Sequence, residues 1–221
     1  SGCRSGNGRV SKAYLLGALG DATERRYTYR VSQKYRSYVE MIARSIRSIG
    51  GRAWVYREGR TRDLYVVEFA KSFLKDANVR SRSSKVDYLR GYFDAEGGIP
   101  RNPPSRFYIY YAQKNRASIE DVKSYLDDLR IRTGRIHNPS KRVDPDYWRV
   151  YVARASHADF ARIVGSLHPI KSRLLKLAAS GRRRSTAGRQ SVPGKRGRRF
   201  MYCVNGRVKV MIRWYNRLSL V

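Results

Sequence analysis

One pattern, repeated at a fixed offset, constrains this chain more than any other feature. Gln33-Lys34 precedes the apolar residues Val39, Ile42, Ile46 and Ile49, and Gln113-Lys114 precedes Ile119, Val122, Leu126 and Leu129, each pair lying 80 positions apart. Steps of three, four and three put each set on the buried stripe of an amphipathic helix. Glu40 and Glu120 match at the same offset. Strand-like runs rich in Tyr, Val and Ile stand upstream of both helices, at residues 27–32 and 106–112. Downstream, residues 53–56 and 63–69 read as a hairpin turning at Glu58-Gly59, and residues 135–137 with 147–153 as its longer-turned counterpart. A helix is expected after each, near 71–78 and near 156–167.

The sequence therefore predicts an α+β fold, a pseudo-twofold duplication of an αββαββα unit. Antiparallel sheets carrying helices on one face leave the other face free. The expected organisation is a first repeat at 1–84, a second at 85–180, and a basic C-terminal arm with a β-hairpin at 181–221. The hairpin is signalled by Asn205-Gly206 between residues 199–204 and 207–214.

Charge points to the partner. There are 48 Lys plus Arg against 17 Asp plus Glu, a net charge of +31 that far exceeds what solubility needs. Phosphate backbones reward such charge by releasing counterions, and 17 Tyr add stacking and hydrogen-bonding groups. Arg26, Arg30, Arg52, Arg106, Arg135 and Arg149 fall on or beside the strands and are candidate contacts to double-stranded DNA. So are Arg182, Arg183, Arg184, Lys195 and Arg196 in the arm, where residues 182–199 hold 8 basic residues and no acid. No run of 18 apolar residues exists and neither end reads as a signal peptide, so an intracellular, cytoplasmic protein without a membrane partner is expected. Cys3 and Cys203 are too few for a disulfide framework, and His137, His157 and His168 lack ligand spacing, so zinc is not expected.

The chemistry resides in the first helix of each unit, residues 14–22 and 88–97. Small residues, Gly17 and Gly91 among them, permit close approach of two helices. The acids at the helix ends, Asp21 and Glu96, are disfavoured there by the helix dipole and imply a positive partner. If the helices pack on each other, the two carboxylates come side by side and call for a hard divalent cation. Asp94 is expected to hydrogen-bond at that helix interface.

These segments resemble the LAGLIDADG homing endonucleases in their single-chain, two-repeat, archaeal intron-encoded form. Leu89, Gly91, Asp94, Ala95 and Gly97 fit the nine-residue pattern, with Glu96 in the place of the last acid. The first copy departs from it: Gly17 lies four residues before Asp21 where Gly91 lies five before Glu96, and Ala22 stands where Gly is usual. The resemblance implies a monomer forming a DNA-binding saddle that cuts both strands at a long asymmetric intron-insertion site. It implies Mg2+ as cofactor, Mn2+ as a substitute, and Ca2+ as a cation that binds without efficient cleavage. It gives Asp21 and Glu96 as metal ligands, with backbone carbonyls of Ala22 and Gly97. It also gives catalytic roles to Gln33, Lys34, Gln113 and Lys114. The competing class is a nucleic-acid-binding protein without cleavage, such as an intron RNA maturase.

Overall fold

The structure, a computed structural model, describes residues 10–59, 63–100, 107–181, 198–204 and 207–213. The chain divides into two units, Ser1–Arg183 and Arg184–Val221. The first unit is α+β with two antiparallel sheets. Its first half runs α1 (Lys12–Ala18), a 3-10 turn (Leu19–Asp21), β1 (Ala22–Glu24), β2 (Thr28–Gln33), α2 (Arg36–Ser48), β3 (Ala53–Arg57), β4 (Tyr65–Ala70) and a 3-10 turn (Lys71–Leu74). The strands form a sheet in the order β1-β2-β4-β3. The second half runs α3 (Arg82–Glu96), β5 (Gly97–Gly98), β6 (Ile109–Gln113), α4 (Arg116–Asp128), β7 (Trp148–Val152), a 3-10 turn (Arg154–Ser156), α5 (His157–Ile163) and α6 (Pro169–Gly181). Its sheet has the order β5-β6-β7.

Three expected elements differ. The strand at residues 135–137 is reduced to a single bridge, His137 to Arg149, beside another from Thr133 to Val152. Pro139 follows, and Asn138 Nδ2 donates instead to the carbonyls of Asp144 and Pro145 at 2.9 and 2.7 Å, folding the loop on itself. The helix expected near 71–78 is one 3-10 turn, because only Phe73, Leu74 and Ala77 reach the core, too few contacts to support a helical nucleus. The last expected helix stops at Ile163; Gly165, at φ +62°, turns the chain, and Pro169 starts α6, which the sequence reading did not anticipate.

Helices α2 and α4 end alike. Gly51 N–H donates to Ile46 O and Ile131 N–H to Leu126 O, both at 2.9 Å. Gly50 and Arg130 occupy the left-handed region at φ +86° and +61°, which completes a Schellman cap at each end. The apolar stripes pack inward as spaced, except Ile49: Ile49 and Leu129 each stand one residue past their helix, yet Ile49 is 40% exposed and Leu129 3%. Each half has its own core. Tyr14, Leu15, Val39, Ile42, Ile46 and Phe69 fill one, and Leu89, Phe93, Tyr111, Ile119, Leu126 and Phe160 the other.

The halves meet where α1 packs on α3. A Cβ added at Gly17 would lie 2.1 Å from the Tyr88 carbonyl oxygen, and one at Gly91 would lie 1.9 Å from that of Tyr14. Backbone touches backbone at both points, so only glycine fits. This contact also accounts for the shorter first motif. From Gly91 to Glu96 the chain stays α-helical and rises about 7.5 Å at about 1.5 Å per residue. From Gly17 to Asp21 there is one residue fewer, but three are in a 3-10 turn, whose rise of about 2.0 Å per residue restores the same length. The two acids therefore sit at matching heights past the glycine crossing.

The second unit contains a hairpin of β8 (Arg198–Val204) and β9 (Arg207–Arg213), antiparallel with Val204 opposite Arg207. Asn205 and Gly206, like Arg106, Arg182, Arg183, Arg184, Lys195, Arg196 and Cys3, lie outside the described residues. Among the described residues no helix is long and apolar enough to cross a membrane.

Candidate metal-binding and nucleic-acid site

Asp21 and Glu96 are each the last helical residue before a strand, β1 or β5. They approach closely: a Cβ at Gly20 would lie 2.9 Å from Glu96 Cγ and 3.3 Å from Gln113 Nε2. Gln33, last in β2, donates its amide to Asp21 Oδ2 at 3.1 Å. Gln113, last in β6, donates its amide to Glu96 Oε1 at 3.0 Å. Each acid thus has one amide donor from the neighbouring strand, in the same relation. Ala22 and Gly97 follow directly and pair with Val31 and Tyr111. Phe93 Cδ2 would stand 2.1 Å from a Cβ at Gly97, so that position excludes any side chain.

Partial burial pushes both carboxyls above their ordinary range. The charge of Asp21 raises Glu96 further, while the Gln113 amide and the ammonium of Lys171 pull it back. Lys171 also opposes the rise at Asp21. Among the described residues no cluster of three or more His, Cys, Asp or Glu is present. The donor set is a pair of hard oxygen anions close enough to repel, which fits an oxygen-seeking divalent cation that takes its remaining ligands from water and phosphate.

The two lysines beside the glutamines are exposed. Lys114 Nζ lies 3.9 Å from Asp144 Oδ2, and both line a groove of about 300 Å3 together with Glu96, Tyr110, Gln113 and Tyr147. Sequence reading missed Asp144. Its signal was a pair of acids, Asp144 and Asp146, in the 138–147 loop of a strongly basic chain, a loop whose fold the sequence does not disclose.

It also missed Lys171, in the first turn of α6. Lys171 Nζ donates to the carbonyls of Phe93 and Asp94 at 2.7 and 2.8 Å, at the C-terminal turn of α3, where a cation suits the helix dipole. Asp94 is buried between the halves and accepts from Tyr14 OH at 2.7 Å, Leu167 N–H at 2.9 Å and the Ser166 hydroxyl. The Tyr14 and Tyr38 hydroxyls share a 2.5 Å hydrogen bond. His168 packs edge-on against Tyr35 and Tyr38, and burial lowers its pKa to about 4, leaving it neutral. Residues 166–171 thereby tie the second half to the first.

The helix-free sheet faces differ from expectation in one respect. Arg30 is not surrounded by bases alone: Nη2 lies 3.2 Å from Glu58, and Nε 3.8 Å from Glu68 with a hydrogen bond to Tyr56 OH at 2.8 Å. Arg149 is held by Tyr147 and Tyr151 hydroxyls at 2.8 and 3.0 Å and stacks over Tyr110 at 4.3 Å. Both guanidiniums are already oriented. Arg26, Arg52 and Arg135 are exposed.

The fold resembles that of the LAGLIDADG homing endonucleases. Residues 83–165 match the family description LAGLIDADG-like domain. Among solved structures, the chain is similar to I-DmoI in complex with DNA and Mn, with a TM-score of 0.54 and 18% identity over 71% of this chain and 97% of that one. It is likewise similar to the N-terminal LAGLIDADG domain of DUF199/WhiA, with a TM-score of 0.55 and 14% identity over 70% and 80% of the two chains. Full-length DUF199/WhiA from Thermatoga maritima gives 0.56 and 14% over 83% and 61%. At these identities the likeness establishes the fold. Among curated protein sequences none matches.

Proposed function

We propose that this chain is a site-specific DNA endonuclease of the homing type, acting as a monomer on a long asymmetric duplex site. One observation carries the reading: two carboxylates, each with its own strand-borne glutamine, meet at the ends of two helices crossed through glycines. Such a pair is unfavourable for the fold by itself, since each acid is partly desolvated and Glu96 also feels the charge of Asp21. Residues 83–165 and the likeness to I-DmoI, which has been solved with DNA and Mn, Ca or Mg, point the same way.

In this reading Asp21 and Glu96, with the carbonyls of Ala22 and Gly97, hold Mg2+, for which Mn2+ substitutes. A bound cation of this kind polarises phosphate oxygen and acidifies water. Gln33 and Gln113 fix the carboxylate rotamers and orient water near the scissile phosphates. Lys34 and Lys114, exposed beside them, steady developing negative charge. The free sheet faces, of the repeats at 1–84 and 85–180, lie on the duplex, and the arm at 181–221 follows phosphates. A non-cleaving DNA-binding protein is the second reading, favoured by one observation: the Lys171 ammonium, bonded at the end of α3, partly offsets the rise of both carboxyls without a metal.

Incubating the full chain with a randomised duplex pool in Mg2+ and sequencing new ends tests the proposal. A recurrent cut site supports it; duplexes retained on the protein but intact in Mg2+ and Mn2+ favour the second reading.

Two further outcomes are expected. Removing residues 181–221 weakens DNA binding and shallows its salt dependence, because up to 8 basic residues at 182–199 no longer release counterions. Binding isotherms across a salt series measure this, and an unchanged slope places the arm off the DNA. The raised carboxyls set a pH trend. A folded pKa above the unfolded value favours the folded state at acid pH, and that contribution disappears as pH rises through the folded pKa. Metal offsets the resulting repulsion, so stabilisation by Mn2+ is smallest at acid pH and grows as pH rises through the raised folded pKa values. Thermal melts with and without Mn2+ read this directly, and a shift that stays constant with pH contradicts it.

A further inference from the structure

The free face of the second sheet carries a cation that the protein holds in place without neutralising it. Arg149, on β7, donates from Nη2 to the Tyr147 hydroxyl at 2.8 Å and from Nη1 to the Tyr151 hydroxyl at 3.0 Å. Its guanidinium lies over the Tyr110 ring, 4.3 Å from the centroid. That ring covers Gly98 of the neighbouring strand, where a Cβ would stand 2.1 Å from Tyr110 Cζ. His137 stacks on Tyr151, with the ring centroids 5.5 Å apart. Neutral groups alone therefore fix the side chain. Among the described residues no carboxylate pairs with it, and its Nε is buried without a hydrogen-bond partner.

The corresponding place in the first half is closed. Arg30 stands 80 positions before Tyr110 and faces Glu68 across the strands, as Tyr110 faces Tyr151. There Glu58 and Glu68 lie 3.2 and 3.8 Å from the guanidinium, and the Thr28 and Tyr56 hydroxyls donate to the two oxygens of Glu68. Donors and acceptors answer one another within that face. On the second face the tyrosines take only two of the guanidinium's N–H donors, and among the described residues the others have no acceptor.

We propose that Arg149, set between Tyr147 and Tyr151, reads a guanine in the half of the duplex that lies on the second sheet. The inference rests on the reading of the chain as a duplex-DNA binder and adds the base to it. Guanine presents N7 and O6 as in-plane acceptors in the major groove, and an arginine fork meets both at once. A mobile cation suffices for phosphate, whereas a planar acceptor edge rewards a guanidinium oriented beforehand, because little rotamer freedom is then lost on binding. A hydroxyl that accepts from the guanidinium keeps its own hydrogen to donate, so Tyr147 and Tyr151 flank the fork with further donors and disfavour a base that presents an amino group there. Tyr110 and Tyr147 also line the groove with Glu96, Gln113 and Lys114, which sets the guanine close to the proposed cut.

The test uses the full chain without metal, so that cutting plays no part. Duplexes retained from a randomised pool are sequenced for the unaltered protein, Arg149→Lys and Tyr147→Phe. The unaltered protein is expected to prefer guanine about tenfold or more at one position of one half-site. Arg149→Lys keeps the charge and loses the planar fork; it is expected to abolish that preference while the other selected positions and the salt dependence of binding persist. Tyr147→Phe removes one hydroxyl and is expected to weaken the same preference severalfold without moving any other. An unchanged preference in Arg149→Lys, or a loss spread evenly over all positions, overturns the inference and assigns Arg149 to the phosphate backbone. A base other than guanine at the position that depends on Arg149 overturns it as well. If the preference depends on Arg149 but no duplex is cut in Mg2+, the endonuclease reading falls and the reader stands; equal retention of every sequence by the unaltered protein removes both.

Discussion

Asp21→Asn and Glu96→Gln are each expected to lower cleavage by about a thousandfold or more while specific DNA binding persists or tightens. Each substitution keeps the shape of the side chain and its place beside Gln33 or Gln113. Each removes an anionic oxygen donor and relieves repulsion with DNA phosphate. Because Glu96 feels the charge of Asp21, and Gly20 lies against Glu96, the acids are expected to act as one site. Both strands should be affected by either change. A supercoiled plasmid carrying the selected site separates nicked from linear product. Rapid linearisation by either variant removes that residue from the site, and fast nicking by one shows that the strands are cut independently.

The second large effect is on stability. Gly91→Val is expected to cost at least about 3 kcal/mol, since its Cβ would stand 1.9 Å from a carbonyl oxygen of α1 and the backbone has no flexible atom to yield. For a domain of this size that corresponds to roughly 10 °C in melting temperature. Gly134→Ala is the control, for there a Cβ meets only the Tyr151 carbonyl at 3.8 Å. Thermal unfolding followed by circular dichroism compares them. A Gly91→Val protein that melts with the control would show that α1 and α3 do not cross through these glycines.

The elements most readable from sequence were those whose pattern is local. The stripes of α2 and α4 follow from residue spacing, and β2, β4, β6 and β7 from runs rich in Tyr, Val and Ile. The acids at the helix ends were legible because charge opposed the dipole there. Ile49 and Leu129 show the limit: spacing and helix end are the same, but Leu129 packs into the second core while Ile49 is exposed, a difference that depends on neighbours remote in sequence. The missing residue of the first motif was visible, but its resolution by a 3-10 turn depends on contact with α3. Lys171 and Asp144 escaped altogether. Their side chains act across long stretches of sequence, since Lys171 reaches carbonyls 77 and 78 positions away and the reach of Asp144 to Lys114 depends on a loop folded on its own amide. Pro169 after Gly165 is a helix-start signal that went unread, and a lysine in its first turn is out of place for the dipole unless it serves a neighbouring helix.

The central claim is that the two helix-end acids form one divalent-cation site. Its most direct measurement is anomalous scattering from Mn2+ in crystals of the full chain bound to a duplex recovered from the cleavage selection. The account predicts anomalous density in contact with carboxylate oxygens of both Asp21 and Glu96, next to backbone phosphate. Cut DNA in the crystal with Mn2+ located elsewhere, or with neither acid touching it, would contradict the account.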